Sequence, residues 1–119
     1  EKIKQEFGQV DFLIHSIAFA KKEHLQGKFY DVTRRGYQVA QEVSSYSLAE
    51  LSRRAAPIMN ENGSIITMTY YGSEKVTPNY NIMGVAKAAL EAWLSEENFD
   101  AAGQQRLRLG EIRERIKQD

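Results

Sequence analysis

The sequence predicts an α/β domain, part of a doubly wound parallel sheet, and three observations carry that reading. Two apolar, β-prone runs, residues 10–20 and 64–70, flank a long stretch whose apolar residues recur every three or four positions. Strand, helix and strand in that order make one βαβ unit, whose strands are expected to be parallel. A second helix then begins near Tyr80 and carries Lys87 seven residues on. Residues 1–94 read as this partial domain, and residues 95–119 as a charged, helical C-terminal tail.

The chain begins at Glu1 without a methionine, and Ile3 and Phe7 suggest the tail of an amphipathic helix. It is therefore expected to be a fragment of a longer protein. Residues 10–20, V-D-F-L-I-H-S-I-A-F-A, follow Gly8 and are too short and too apolar for an independent helix. They fit a central strand buried on both faces. Here His15 reads as a satisfied core histidine and Ser16 as a strand-end hydroxyl. Residues 21–31 are polar and contain Gly27, so a loop is expected, with Asp31 or Thr33 capping the next helix.

From Arg34 to about Met59, Tyr37, Ala40, Val43, Ser47, Leu48, Leu51, Ala55 and Ile58 trace a helical stripe. Pro57 falls in its last turn, and Asn60, Asn62 and Gly63 terminate it. Residues 64–69 form the second strand, which ends at Tyr70; residues 72–77 make a turn. Pro78 disfavours helix before it and Asn79 is a suitable N-cap, which places the helix start near Tyr80. That helix is apolar around nearly its whole circumference, so it must be covered by its own sheet and by something more. In the tail, Leu109, Ile112 and Ile116 have helical spacing, and Glu111 lies four residues before Arg115. Acids interleaved with bases favour a solvated amphipathic tail over a nucleic-acid-binding arm.

Sixteen basic and sixteen acidic residues cancel, so nothing steers the chain towards nucleic acid or anionic lipid. The absence of cysteine removes disulfides, thiolate nucleophiles and cysteine metal sites. His15 and His24 lack metal-ligand spacing, so no metal is expected. No run approaches the roughly 20 apolar residues of a membrane-spanning helix, and no targeting segment is visible.

Chemistry is suggested by Tyr80 and Lys87. At 3.6 residues per turn their spacing falls about 20° short of two turns, which puts both on one face about 10.5 Å apart along the axis. A phenol is a poor acid, and a nearby cation stabilises its ionised form. The lysine supplies up to three donors to a ligand. Strand-loop-helix connections place such groups at the carboxyl ends of parallel strands, where ligands bind, and Tyr70 sits there as well. Singly, each has an ordinary explanation: Tyr70 and Tyr71 favour strands, Tyr80 suits a core, and Lys87 can snorkel to solvent.

Taken together, H-S-I-A-F-A, T-Y-Y-G, P-N-Y-N and M-G-V-A-K, in that order, resemble the enoyl-acyl carrier protein reductases. These form the divergent Tyr-x6-Lys branch of the short-chain dehydrogenase/reductases. The ordinary Tyr-x3-Lys pattern would put lysine where this chain has Gly84, which disfavours a common carbonyl reductase. The resemblance covers residues 1 to about 93 and implies a partial Rossmann-type fold. It implies NADH as cofactor, with NADPH not distinguished, and reduction of the trans-2 double bond of an enoyl thioester on acyl carrier protein.

By the same resemblance Tyr80 would donate to the enolate oxygen and Lys87 would bind the nicotinamide ribose. Tyr70 would border the reaction site, Ile17 would contact the cofactor, and Ala20 and Met83 would line the acyl pocket. Ala18 stands where many members carry glycine. The family also implies a homotetramer built on the two long helices, and a bacterial cytoplasm or plastid stroma. After about Leu94 the resemblance stops: the family's last strands and the glycine-rich phosphate loop of its first βαβ unit have no match. That leaves pyrophosphate without a cradle and two apolar sheet edges unpaired. A non-catalytic remnant or interaction module is therefore the alternative to an active reductase.

Overall fold

The computed structural model describes residues 1–93 and, as backbone, residues 108–114. A short helix α1 (Lys2–Phe7) leads into strand β1 (Val10–His15), a four-residue helix α2 (Glu23–Gln26) and helix α3 (Arg34–Gln41). A π-helical segment (Glu42–Tyr46) joins α3 to α4 (Ser47–Ala55), and strand β2 (Met59–Tyr70), helix α5 (Ile82–Trp93) and strand β3 (Arg108–Glu114) follow. The three strands form one sheet in the order β1-β2-β3, and both pairings are parallel.

The expected βαβ unit is present, with corrections to its parts. β1 ends at His15 rather than running to residue 20, and it lies at an edge of the described sheet instead of its centre. Burial covers one of its faces: His15 is enclosed, whereas Phe12 and Ile14 are 61% and 57% exposed. β2 starts five residues early, at Met59, so Asn60, Asn62 and Gly63 lie inside the strand. They mark an irregularity there: the register shifts between Val10↔Met59 and Phe12↔Ser64, and Asn62 has φ 64°. Asn60 Nδ2 also donates to Asp11 Oδ1 at 2.6 Å, which ties the two strands together at the shift.

The C-terminal segment reverses expectation. Residues 108–114 are strand, in register with β2 from Ser64↔Arg108 to Tyr70↔Glu114. Helical spacing of a few apolar residues is a weak force in so short a segment, since isolated short helices are marginal in water. Pairing satisfies the backbone groups on the second edge of β2, which would otherwise be exposed. The remaining tail positions, 95–107 and 115–119, lie outside the described residues.

The core sits between the sheet and the helices. Leu48 of α4, Met59 and Ile65 of β2, and Leu90 of α5 are buried together, with Val10, Leu13 and Ala55 packed against them. Each such side chain removed from water contributes about 1.5–3 kcal/mol. The long helix begins where Thr33 caps it, its Oγ1 accepting from Gly36 N–H at 3.0 Å. Its buried line runs Gly36, Ala40, Ser44, Leu48, with Ser45 also inside. Of the expected stripe Ala40 and Leu48 are buried, whereas Tyr37 is exposed and Val43 half-buried. Pro57 lies in a 3-10 turn after α4.

Residues 21–31 contain α2, whose His24 is buried. Its ring lies against Gly36, where a Cβ would overlap it. Gly36→Ala is expected to push the ring out of place and lower stability by about 1–3 kcal/mol, read as a fall in the urea midpoint at unchanged slope.

Candidate active site

The site lies beyond the carboxyl ends of β1 and β2. β2 delivers Tyr70 at its last position, and a 3-10 turn at Tyr71–Ser73 reverses the chain. Tyr80 lies in a turn ahead of α5, which starts at Ile82 and not at Tyr80 as its sequence suggests. The cause is the pair of asparagines on either side: Asn79 and Asn81 have φ 59° and 35°, left-handed backbone that a right-handed helix excludes. Asparagine tolerates that region better than most residues. Asn81 Nδ2 donates to Gly27 O at 3.1 Å, and Tyr80 C=O accepts from Met83 N–H at 2.8 Å. The turn therefore holds Tyr80 at the mouth of α5.

The two groups nevertheless meet. Tyr80, Lys87, Tyr70 and Ser16 line one cavity of about 560 Å3, together with Met68, Thr69, Thr77 and Pro78. The Tyr70 and Tyr80 rings are tilted at 56° with centroids 4.8 Å apart. Lys87 is only 7% exposed, and its Nζ donates to Met68 O at 3.0 Å. Three of the residues expected at the site are thus brought together. Ile17, 42% exposed on the segment after β1, and Ala20, half-buried beyond it, are not among this cavity's walls, nor is Met83, buried on α5.

Gly84 makes a close approach. A Cβ there would stand 2.8 Å from Gly72 O, so the first turn of α5 touches the turn after β2 through backbone. The position at which a Tyr-x3-Lys enzyme carries lysine has no room for a side chain.

Burial governs the electrostatics of both groups. The phenol of Tyr80 is pushed up to about 12, by burial first and then by Tyr70 and Glu91. At neutral pH it is a hydrogen-bond donor, not a phenolate. Burial lowers Lys87 from its usual value, and Glu91 opposes the shift.

Two polar clusters that sequence reasoning missed support these groups. His15 Nε2 and Ser47 Oγ are 2.7 Å apart, and the Ser47 hydroxyl proton is committed to Val43 O at 2.6 Å. Nε2 is therefore the donor, and Nδ1 accepts from Thr67 Oγ1 at 2.7 Å. Burial first, and then Lys87, lower the imidazole from its usual value, against its own backbone hydrogen bond, so it stays neutral as a core histidine should. Ser44 Oγ accepts from Phe19 N–H at 2.9 Å and donates to Phe19 O at 3.1 Å. This fastens the segment after β1 to the π-helical turn. Paired serines inside a helical pattern were the available signal. The second cluster, Thr69, Ser73 and Glu91, lies beside Lys87. Among the described residues no group of three His, Cys, Asp or Glu side chains is placed to hold a metal, and no helix is long and apolar enough to cross a membrane.

Parallel strands with a tyrosine and a lysine converging at their carboxyl ends have the arrangement of the short-chain dehydrogenase/reductase class of α/β folds. Comparison with known proteins narrows that class: residues 1–102 match the family described as Enoyl-(Acyl carrier protein) reductase. The chain belongs to that family. The match runs past Leu94, where the motif resemblance was expected to stop. The chain is 50% identical over 102 residues to the NADH-type enoyl-acyl-carrier-protein reductase FabI of Enterococcus faecalis, covering 86% of this chain and 41% of that protein. It is 53% identical over 92 residues to the Rickettsia conorii enzyme of the same name, covering 77% and 35%. The Bacillus cereus enoyl-acyl carrier protein reductase, solved with NADP+ and an indole naphthyridinone, superposes with a TM-score of 0.86 at 44% identity, over 94% of this chain and 43% of that one. The chain therefore spans about two fifths or less of the length of these curated relatives.

Alkaline titration checks the Tyr80 environment. Subtracting the tyrosinate absorbance of Tyr80→Phe from that of the unsubstituted chain should leave a step near pH 12 rather than near 10. A phenol raised in the folded state favours folding fully below the unfolded value. That contribution is lost as pH rises from about 10 through about 12, so stability should fall across this window, and less in Tyr80→Phe.

Proposed function

We propose that this chain carries the reacting half of an NAD(P)H-dependent enoyl-acyl carrier protein reductase, which reduces the trans-2 double bond of enoyl thioesters in fatty acid biosynthesis. The observation that carries the reading is the single cavity on which Tyr70, Tyr80, Lys87 and Ser16 converge. Reduction at the β-carbon of an enoyl thioester leaves negative charge on the thioester oxygen. Tyr80, held protonated, donates a hydrogen bond to that oxygen, and its fixed turn spares reorganisation as charge develops. Lys87 has donors beyond the one given to Met68 O, and these hold ribose hydroxyls and add positive charge near the enolate. Tyr70 packs on Tyr80 and keeps its ring in place.

The cavity's donor set of ammonium, phenol and hydroxyl fits the nicotinamide-ribose end of a dinucleotide, and does not suit a metal. NADH, or NADPH, supplies the hydride when bound. Ile17 contacts the cofactor from the segment after β1, with Ala20 and Met83 on the acyl side, assignments supported by the motif match. The partner is the thioester on acyl carrier protein. A homo-oligomer is supported by the open face shared by α3, the π-helical turn and α5, where a second cavity of about 480 Å3 is walled by Tyr37, Tyr46, Ala92 and Trp93 among others. The setting is a bacterial cytoplasm or plastid stroma.

The test is made on the chain itself, by NADH fluorescence titration and by NADH consumption at 340 nm with crotonyl thioester. Weak but saturable binding and slow turnover are expected, since the sequence offers pyrophosphate no glycine-rich cradle. Tyr80→Phe should keep binding and lose turnover by about 10²–10³-fold, the usual effect of removing one such donor. Lys87→Ala should weaken binding as well. Neither binding nor turnover in a folded chain would overturn the reading and leave a non-catalytic interaction module.

A further inference from the structure

Glu91 lies one helical turn beyond Lys87 on α5, so the two share a face. Its Oε1 accepts from Thr69 Oγ1 at 2.8 Å and from Ser73 Oγ at 2.7 Å. Thr69 is a cavity wall on β2 and only 3% exposed; Ser73 closes the 3-10 turn after β2. Two hydroxyls from separate elements therefore aim one carboxylate oxygen, half-buried, beside the reacting groups. Nothing in holding the turn to the helix requires a charge, since a neutral carbonyl would accept both bonds.

We infer that Glu91 is a positioning residue: its carboxylate, aimed by Thr69 and Ser73, sets a fixed negative charge beside Lys87 and Tyr80, and its two hydrogen bonds set the spacing of α5 from the end of β2. Glu91 raises the proton affinity of both groups, against burial in the case of Lys87. The other titratable groups facing the pair are Tyr70 at the end of β2 and His15 at the end of β1. Tyr70 packs its ring on Tyr80, and His15 is a neutral imidazole held from both sides. The carboxylate thus sets the sign of the field. Its importance to turnover rests on the reading of Tyr80 and Lys87 as the reacting pair; its effect on their protons does not.

The experiment is NMR titration of the full 119-residue chain, labelled at lysine Cε, tyrosine Cζ and glutamate Cδ, with Lys87→Arg, Tyr80→Phe and Glu91→Gln used for assignment. Glu91→Gln retains an acceptor for Thr69 and Ser73 and removes the charge. Both the Lys87 and Tyr80 midpoints should move down by roughly half a pH unit or more. In the unsubstituted chain, acid titration should move the Lys87 Cε resonance in step with the Glu91 carboxyl carbon, a readout that needs no substitution. Unmoved midpoints in Glu91→Gln, or a Lys87 resonance indifferent to Glu91 protonation, would overturn the inference and reduce Glu91 to a structural tie. Shifts seen without NADH turnover would uphold it and count against the proposed reaction, whereas turnover without shifts would do the reverse.

Discussion

Enclosing a charged lysine is the constraint around which this chain is arranged. Removing an ammonium from water is costly unless it is paired and hydrogen-bonded. Lys87 has three compensations: the Met68 carbonyl at the carboxyl end of β2, the Glu91 carboxylate one turn along its own helix, and an imidazole across β1 that remains uncharged. Each fixes an element. The first draws α5 against β2, the second places α5 relative to the turn after β2, and the third is a ring fixed in place by Thr67 and Ser47 and kept neutral by burial and by Lys87 itself. The lysine is thus an organising group of the fold and a component of the site.

The same logic explains the π-helical turn. Through this segment Ser44 and Ser45 are buried and Ser47 stands against His15. With the extra residue per turn, Ser44 holds the Phe19 backbone, Ser45 accepts from the Trp93 indole at 3.2 Å, and Ser47 accepts from the imidazole. Three hydroxyls fasten the segment after β1, the far end of α5 and β1 itself. π-helical turns occur disproportionately at functional sites, and here the gain is the placement of backbone around Ser16.

What could be read from the letters follows from which forces act locally. Apolar periodicity and β-branched runs place β1, the crossover helix, the core of β2 and α5, because burial writes itself at fixed spacing. The Tyr80–Lys87 convergence was legible although its premise was inexact: the helix starts two residues late, and the Asn79–Asn81 turn still points the phenol into the cavity. Illegible were the features set by partners distant in sequence. Ser47 reads as one more small residue of the helical stripe until His15 is beside it, and Ser44 gives no sign of Phe19. Glu91 looks like a solvated charge until Thr69 and Ser73 close on it. Residues 108–114 look helical because Leu109 and Ile112 are three apart; only the second edge of β2 makes a strand the better answer.

The sheet shows how far burial and polarity can part company. Paired residues in a parallel ladder share a side, so Leu13, His15, Ile65 and Thr67 face the helices together with Thr69, while Phe12, Ile14, Ile66 and Met68 face the other way. The packed side is the more polar of the two. It can be so because every hydroxyl and ring nitrogen on it has a partner: His15 with Thr67 and Ser47, Thr69 with Glu91. A satisfied polar network specifies one arrangement more sharply than interchangeable aliphatic groups do. The open side is apolar, as expected of a sheet from a class that covers both faces with helices. The contacts that seat Tyr80, Lys87 and Glu91 lie on the packed side or at the strand ends. The geometry of the site therefore belongs to α5, β2 and the turn between them, whatever covers the opposite face.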